Sequence, residues 1–200
     1  MAGLTVWRHP QPLGVAGRCI GRTDVPVDRR KSKRLAHRIR AWARRHGAPH
    51  GVITSPLRRS ADVGRWLARW GWRHRVDVRL IEVDFGCWDG QPWDAIGAAA
   101  VDTWCRDFAQ HRPGGGETLV ALLARCAAFI ADAHGDPAAE SFVCVVGHAG
   151  WISAARWLQQ AGRATPEALA WPAAVGYGAR GAIGAPGVPR VPRVSGTPAG

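Results

Sequence analysis

The chain has 200 residues, 46% of them hydrophobic, which is enough for one domain with a substantial core. No apolar run is long enough to span a bilayer, and the N-terminus lacks the basic and apolar regions of a secretory signal. The five cysteines are scattered without a CxxC pair, so neither a zinc ribbon nor a dithiol redox motif is present. These features predict a single-domain cytoplasmic protein.

The formal net charge is +12, and almost all of the basic residues are arginine. A surface of this charge could bind nucleic acid, but the sequence contains no nucleic-acid-binding motif. The densest basic run, residues 29–45, carries an apolar stripe at helical spacing, so its charges are expected on the solvated face of a helix. We therefore expect no nucleic-acid partner and no membrane partner, whereas an anionic phosphate ester would be attracted to the surface.

Hydrophobic periodicity predicts strands that alternate with helices along the chain. The predicted elements are strand 3–8, helix 28–45, strand 51–54, helix 57–70, strand 76–82, helix 93–110, helix 117–134, strand 141–147, helix 150–162 and strand 177–183. This alternation predicts an α/β fold, a three-layer sandwich in which helices cover both faces of a mostly parallel sheet. Residues 1–184 form the predicted domain, and the Pro/Gly-rich residues 185–200 are predicted to be a disordered tail.

Arginine and histidine residues follow three of the predicted strands. Arg8 and His9 come directly after the first strand, Arg58 lies just beyond the second, and His148 follows the apolar run that ends at Gly147. Ligand sites in open α/β sheets lie at the carboxyl ends of the strands. We therefore predict that these residues converge in one site, where guanidinium groups would hold phosphate oxygens.

Five motifs, in this order, resemble the histidine phosphatase superfamily and its phosphoglycerate-mutase-like fold. The motifs are Arg8-His9, Ser55–Arg58, Glu82–Gly90, Gly115–Thr118 and Val146–Gly150. The stretch Gly17–Asp24 is most similar to the α-ribazole phosphatases of cobalamin synthesis. The resemblance implies a phosphatase that needs neither metal nor cofactor and that acts on a small-molecule phosphate ester such as α-ribazole 5′-phosphate.

The resemblance and the side-chain chemistry together suggest the catalytic roles. His9 is the predicted nucleophile, because a neutral imidazole nitrogen can attack phosphorus and form a phosphohistidine. Glu82 is the predicted general acid for the leaving alkoxide, and Asp84, two residues further on, is the alternative. His148 is predicted to donate a hydrogen bond to the phosphoryl group, and Arg8 is predicted to bind its oxygens.

Three further arginines could lie in or near the phosphate site. Arg58 is a predicted phosphate ligand, and Arg59, its neighbour on a helix, is predicted to face solvent. The superfamily has a Thr and an Asn shortly after Arg-His, where this chain has Pro12 and Val15, so one phosphate ligand is missing. Arg22 lies on the same loop and is the predicted replacement.

Three alternatives to a small-molecule phosphatase stay open from the sequence. A phosphoglycerate mutase shares the fold, but it needs extra chain over the site, and no long insertion lies between Trp93 and Gly114. A phosphohistidine protein phosphatase is a second alternative, and a non-catalytic basic nucleic-acid-binding module is a third. Hydrolysis of a small phosphate ester is favoured, with Asp89 and Glu117 in structural roles.

Overall fold

A five-stranded sheet forms the centre of the computed structural model, which describes residues 3–135, 144–160 and 165–184. The strands are β1 (Leu4–Arg8), β2 (Gly51–Thr54), β3 (Arg73–Val76), β4 (Cys144–Gly147) and β5 (Arg180–Ile183). They are arranged in the order β3-β2-β4-β1-β5, and only β5 is antiparallel to its neighbour. The predicted α/β fold with a mostly parallel sheet is confirmed.

Helices cover both faces of this sheet. They are α1 (Arg29–His46), α2 (Arg58–Ala68), α3 (Trp93–Ile96), α4 (Ala98–Arg106), α5 (Leu119–Gly135) and α6 (Ala149–Gln160). Apolar residues of α1 and α2 form one core cluster with the sheet, and those of α5 and α6 form the other. Among the described residues, no helix combines the length and apolar character needed to cross a membrane.

The central strands are buried on both faces. In β4, Val145 contributes to the core beneath α5 and α6, whereas Cys144 and Val146 contribute to the core beneath α1 and α2. A parallel strand covered on both sides has an apolar sequence throughout, which explains the uninterrupted hydrophobic run before His148. The residue that follows such a strand therefore starts from a rigid position.

The register of β1 and β4 sets the two histidines side by side. Arg8 lies opposite Gly147 in this parallel pair, so His9 and His148 leave neighbouring strands at the same level. The backbone N–H of His9 donates to the Gly147 carbonyl oxygen at 3.0 Å, which extends the pairing by one residue. The predicted convergence of these strand ends is therefore present in the fold.

The prediction of a strand over residues 76–82 is wrong. The strand is β3, and Val78–Leu80 forms a 3₁₀ turn in which Leu80 is buried and Val78 is 66% exposed. β3 lies at the edge of the sheet, and its polar side chains are exposed or half-buried, so it lacks the hydrophobic alternation on which the prediction relied.

Differences at the remaining elements are smaller. The predicted helix 93–110 is divided into α3 and α4 at Gly97, whose φ of +83° lies outside helical geometry. The other predicted bounds agree with the observed elements to within about three residues where the structure describes them. The predicted tail, residues 185–200, lies outside the described residues.

Candidate active site

His9 is a buried, neutral imidazole at the end of β1. Its Nδ1 lies 2.7 Å from the Pro10 carbonyl oxygen, and because a carbonyl can only accept, Nδ1 carries the proton. The lone pair is therefore on Nε2. Burial lowers the pKa of His9 to about 3, and the charges of Arg59 and Arg8 act in the same direction. At neutral pH the ring thus offers one unprotonated nitrogen that can act as a nucleophile.

His148 is fully buried beside His9, with 4.9 Å between the two ring centroids. Its Nδ1 accepts a hydrogen bond from Nε of Arg59 at 3.3 Å, so Nε2 carries the proton and donates to Oγ of Ser55 at 2.6 Å. Burial, followed by the proximity of His9 and Arg59, lowers the pKa of His148 well below its ordinary value. Both ring nitrogens are occupied, and His148 can donate to a phosphoryl group only when its Nε2–H leaves Ser55.

The sequence-based orientation of Arg58 and Arg59 is wrong. Arg59 is 1% exposed and reaches His148, while its Nη atoms donate to the carbonyl oxygens of Thr23 and Gly21. Arg58 is exposed and points away from the histidines. The guanidinium in this site is therefore that of Arg59, and it also holds the loop that follows β1.

The phase of α2 accounts for this arrangement. Arg59 shares one helix face with Val63 and Leu67, which lie four and eight residues further on and are fully buried. Arg58 instead shares the outer face with Asp62, about 100° away around the helix. The apolar spacing of Val63 and Leu67 was the signal in the sequence that could have identified Arg59.

Glu82 is buried, at 6% exposed, and is held against the first turn of α6. Its carboxyl oxygens accept backbone N–H groups from Gly150 at 3.2 Å and Trp151 at 3.3 Å. A Cβ at Gly150 would lie 2.6 Å from Oε1 of Glu82, so a glycine leaves room for this carboxyl group. Burial lowers the pKa values of Arg8 and Arg59, and the negative charge of Glu82 counteracts that effect on both. The Glu82 carboxyl group therefore lies close enough to both arginines to interact with them.

A segment near the C-terminus completes the rim of the site. Arg8 donates from Nη1 to the Val175 carbonyl oxygen at 2.6 Å, and its guanidinium lies 3.8 Å from the ring centroid of Tyr177. The Tyr177 ring is 5.6 Å from that of His9 and is 42% exposed. This tyrosine, the only one in the chain, was not predicted to lie in the site, because the segment before β5 has no periodicity to place it.

Arg22, the predicted replacement for the missing phosphate ligand, is held by two carboxylates of the surrounding loops. Its guanidinium forms ion pairs with Asp84 and Glu117, each at 3.1 Å. The pairing also occupies Asp84, the alternative general acid. Asp89 accepts three backbone N–H groups from residues 21–23, and Glu117 also pairs with Arg125 at 2.6 Å. The structure thus places Asp89 and Glu117 in contacts that hold the loops around the site.

We expect the free energy of unfolding to fall as the pH is lowered from about 6.5 towards 3. The pKa of His9 is about 3 in the folded protein, whereas histidine in an unfolded chain titrates near 6.5, so the unfolded chain binds the extra proton between these values. The contribution of neutral His9 is complete above about pH 6.5 and is lost as the pH falls, by about 1.4 kcal/mol per pH unit.

Denaturant unfolding of the wild type and of His9→Gln at pH 7 and pH 5 measures this effect. Wild type should lose about 2 kcal/mol more than the variant between the two pH values. Equal losses would show that His9 is not buried as a neutral ring.

The chain is similar to a known protein family and to several solved structures. The family model of the histidine phosphatase superfamily (branch 1) matches residues 4–174. Among curated protein sequences, none matches the chain. A mycobacterial glucosyl-3-phosphoglycerate phosphatase in complex with VO3 is 27% identical, with a TM-score of 0.72 over 90% of this chain and 91% of that chain.

Two further solved structures bear on the site and the fold. The same mycobacterial phosphatase in complex with inorganic phosphate is 26% identical, with a TM-score of 0.65 over 80% of this chain and 79% of that chain. An α-ribazole phosphatase from Shigella flexneri is 22% identical, with a TM-score of 0.66 over 90% of this chain and 89% of that chain, and it shares the fold. The family match covers most of the chain, including both histidines, and the chain belongs to the histidine phosphatase superfamily.

Proposed function

We propose that the chain is a metal-independent phosphomonoesterase that works through a phosphohistidine intermediate on His9. The observation that carries the proposal is the free lone pair on Nε2 of His9, beside two guanidinium groups and a buried carboxyl group. Membership of the superfamily and a phosphatase neighbour at 27% identity support a phosphatase. The proposed mechanism uses no metal, and within the described residues no cluster of three or more His, Cys, Asp or Glu could hold one.

In the first step, Nε2 of His9 attacks the phosphorus of the ester. An N–P bond forms while the P–O bond to the leaving group breaks, and Glu82, which takes up a proton when the anionic ester binds, gives that proton to the departing alkoxide. Arg8 and Arg59 stabilise the negative charge on the phosphoryl oxygens in the transition state. The step leaves a phosphohistidine, the free alcohol and a Glu82 carboxylate.

In the second step, water attacks the phosphohistidine. The Glu82 carboxylate accepts a proton from that water, the N–P bond breaks and inorganic phosphate is released. The electron pair of the N–P bond returns to Nε2 of His9. Nδ1 keeps its proton throughout and donates it in a hydrogen bond to the Pro10 carbonyl oxygen. Enzyme and carboxyl group are thereby restored for another turnover.

His148 has two proposed roles, which are to position Arg59 and to bind the phosphoryl group. It positions Arg59 by accepting its Nε–H, and it donates to a phosphoryl oxygen when its Nε2–H moves away from Ser55. Within the part of the chain that the structure describes, the Ser55 hydroxyl accepts from His148 and has no acceptor of its own, so its hydrogen can be donated to a phosphoryl oxygen. Ser55 therefore belongs to the proposed phosphoryl pocket, although the sequence analysis gave it no role.

The proposed substrate is a small phosphorylated metabolite, and two leaving groups are supported by separate observations. The resemblance of Gly17–Asp24 favours α-ribazole 5′-phosphate, a substrate of cobalamin synthesis. The neighbour with the higher identity is named for glucosyl-3-phosphoglycerate, which favours a phosphorylated glycerate or sugar acid. Relative kcat/KM on the two compounds decides between them, and transfer of the phosphoryl group to a second substrate molecule would instead indicate a mutase.

The enzyme should become labelled on His9 during turnover. Rapid quenching with alkali after mixing with ³²P-labelled substrate should give an alkali-stable, acid-labile phosphoprotein, and His9→Ala should abolish both the label and turnover. The isomer should be the Nε2-phosphohistidine, because Nδ1 is bound to the Pro10 carbonyl. Labelling that persists in His9→Ala, or turnover that is lost in EDTA, would contradict the mechanism.

Arg59→Ala should reduce kcat/KM by roughly 100- to 1,000-fold, the cost of removing one preorganised donor from a site of this kind. The matched substitution of its neighbour, Arg58→Ala, should cause a far smaller loss, because that side chain is exposed on the other side of α2. Both variants remove one arginine from the same helix turn, so net charge is controlled. Equal losses in the two variants would contradict the assignment of Arg59.

Glu82→Gln should affect substrates according to their leaving groups. Hydrolysis of an alkyl phosphate needs a proton on the departing oxygen and should be strongly impaired, whereas p-nitrophenyl phosphate should be much less affected. Asp84→Asn is the matched control, because Asp84 is held in an ion pair with Arg22 and should show no such dependence. Similar losses on both substrates in Glu82→Gln would show that Glu82 orders the site and supplies no proton.

A further inference from the structure

A second cationic site lies between the start of α1 and the outer side of α2. It is a cleft of about 240 Å³ whose wall includes four arginines, Arg29, Arg58, Arg65 and Arg69, together with Trp66. We refer to these five residues as the arginine cleft. The cleft shares no residue with the site around His9, since Arg58 lines it and its neighbour Arg59 reaches His148.

The charge of the arginine cleft is largely uncompensated. The one carboxylate on its wall, Asp62, is already paired with Arg65 at 2.5 Å. Arg29, Arg58 and Arg69 form no ion pair with any of the residues that the structure describes. Apart from the Asp62–Arg65 pair, three guanidinium groups therefore share a small cleft, and their net positive charge favours an anionic ligand.

Three cationic side chains lie against the ring of Trp66. The guanidinium carbons of Arg29 and Arg69 lie 5.0 and 4.9 Å from the ring centroid, and Nζ of Lys33 lies 5.2 Å away. Cation–π attraction holds the three groups against the ring, although they repel one another. An anion placed among them would relieve that repulsion and could accept hydrogen bonds from both arginine forks.

A buried hydroxyl group also lies on the wall of the cleft. Ser32 is 1% exposed, and its Oγ has no hydrogen-bond partner within the described part of the chain. Leaving a buried hydroxyl unpaired is unfavourable, so such groups usually have a partner in the functional state. Ser32 lines the arginine cleft, so a ligand oxygen there would provide one once the hydroxyl turns toward the cleft.

We propose that the arginine cleft is a second anion site that binds a diphosphate group. Two adjacent phosphoryl groups bring several negative charges into a small volume, which matches the three unpaired guanidinium groups of the cleft, two of which lie against the Trp66 ring. Arg29, Lys33 and Arg69 already lie against the Trp66 ring, which disfavours stacking of a base there. The shared chemistry is that of inorganic diphosphate and of a nucleoside diphosphate.

Titration calorimetry with metal-free inorganic diphosphate tests the proposal. Wild type should bind at two sites, because the site around His9 also accepts a phosphoryl group under the proposed function. Arg29→Ala/Arg69→Ala should weaken the cleft site by at least about 30-fold, in line with the loss of two charge-assisted hydrogen bonds, and should leave one site. Arg8→Ala/Arg59→Ala should remove the other site and retain the cleft site, so the two proposals fail separately.

The matched control is Arg44→Ala/Arg45→Ala, which removes the same charge from the exposed last turn of α1. Two sites in this control support the proposal. Equal weakening in the control and in Arg29→Ala/Arg69→Ala would overturn it, since the binding would then be due to diffuse surface charge. A single site in wild type that Arg8→Ala/Arg59→Ala abolishes would also overturn it.

A second double variant and a titration with ADP complete the test. Arg29→Gln/Arg69→Gln preserves polar side chains and serves if the alanine variant unfolds, as judged by circular dichroism; retention of full diphosphate affinity in this variant would contradict the proposal. ADP is then titrated beside inorganic diphosphate. Equal affinities at the cleft assign recognition to the phosphates alone, and tighter binding of ADP identifies a nucleotide as the source of the diphosphate group.

Discussion

Two histidine rings must remain uncharged in a pocket that also contains two arginines, and the proposed active site depends on that constraint. The parallel pairing of β1 with β4 puts His9 and His148 side by side, where burial excludes the water that would stabilise an imidazolium. Arg8 and Arg59 add positive charge beside them, so protonation of either ring is unfavourable. The electrostatic field that would hold an anionic phosphoryl group therefore also keeps the predicted nucleophile unprotonated.

Hydrogen bonds then determine which nitrogen of each ring is available. The Pro10 carbonyl fixes the proton of His9 on Nδ1, and the Nε–H of Arg59 fixes the proton of His148 on Nε2. Pro10 has no backbone N–H to offer, but its carbonyl oxygen is the group that His9 uses. The proline in the Arg-His-Pro motif is thus compatible with the tautomer that nucleophilic attack requires.

The fold and the centre of the site could be predicted because both follow from buried strands. His9 and His148 each follow a strand that is almost entirely buried, and strand ends of a parallel sheet meet at one edge. Arg59 could not be told from Arg58 by motif alone, because that choice depends on the helix phase shown by Val63 and Leu67. The polar edge strand β3 gave no periodic signal, since few of its side chains enter the core.

Other features depend on contacts between distant parts of the chain, which a single sequence does not specify. Tyr177 reaches Arg8 and His9 only because the segment before β5 returns beside β1. Arg22 was predicted to be a phosphate ligand from its position on the loop, but Asp84 and Glu117 lie close enough to pair with it. Adjacent residues can also serve different surfaces, as Arg59 in the active site and Arg58 in the arginine cleft illustrate.

The protonation state of His9 in the free enzyme is the most direct test of this account. Two-bond ¹H–¹⁵N correlation spectra of protein labelled with ¹⁵N-histidine, assigned by comparison with His9→Gln, report charge and tautomer for each ring. The account predicts a neutral His9 with its proton on Nδ1 and no titration between pH 8 and pH 5, because the pKa is about 3. A His9 ring that titrates near pH 6.5, or that carries its proton on Nε2, would contradict it.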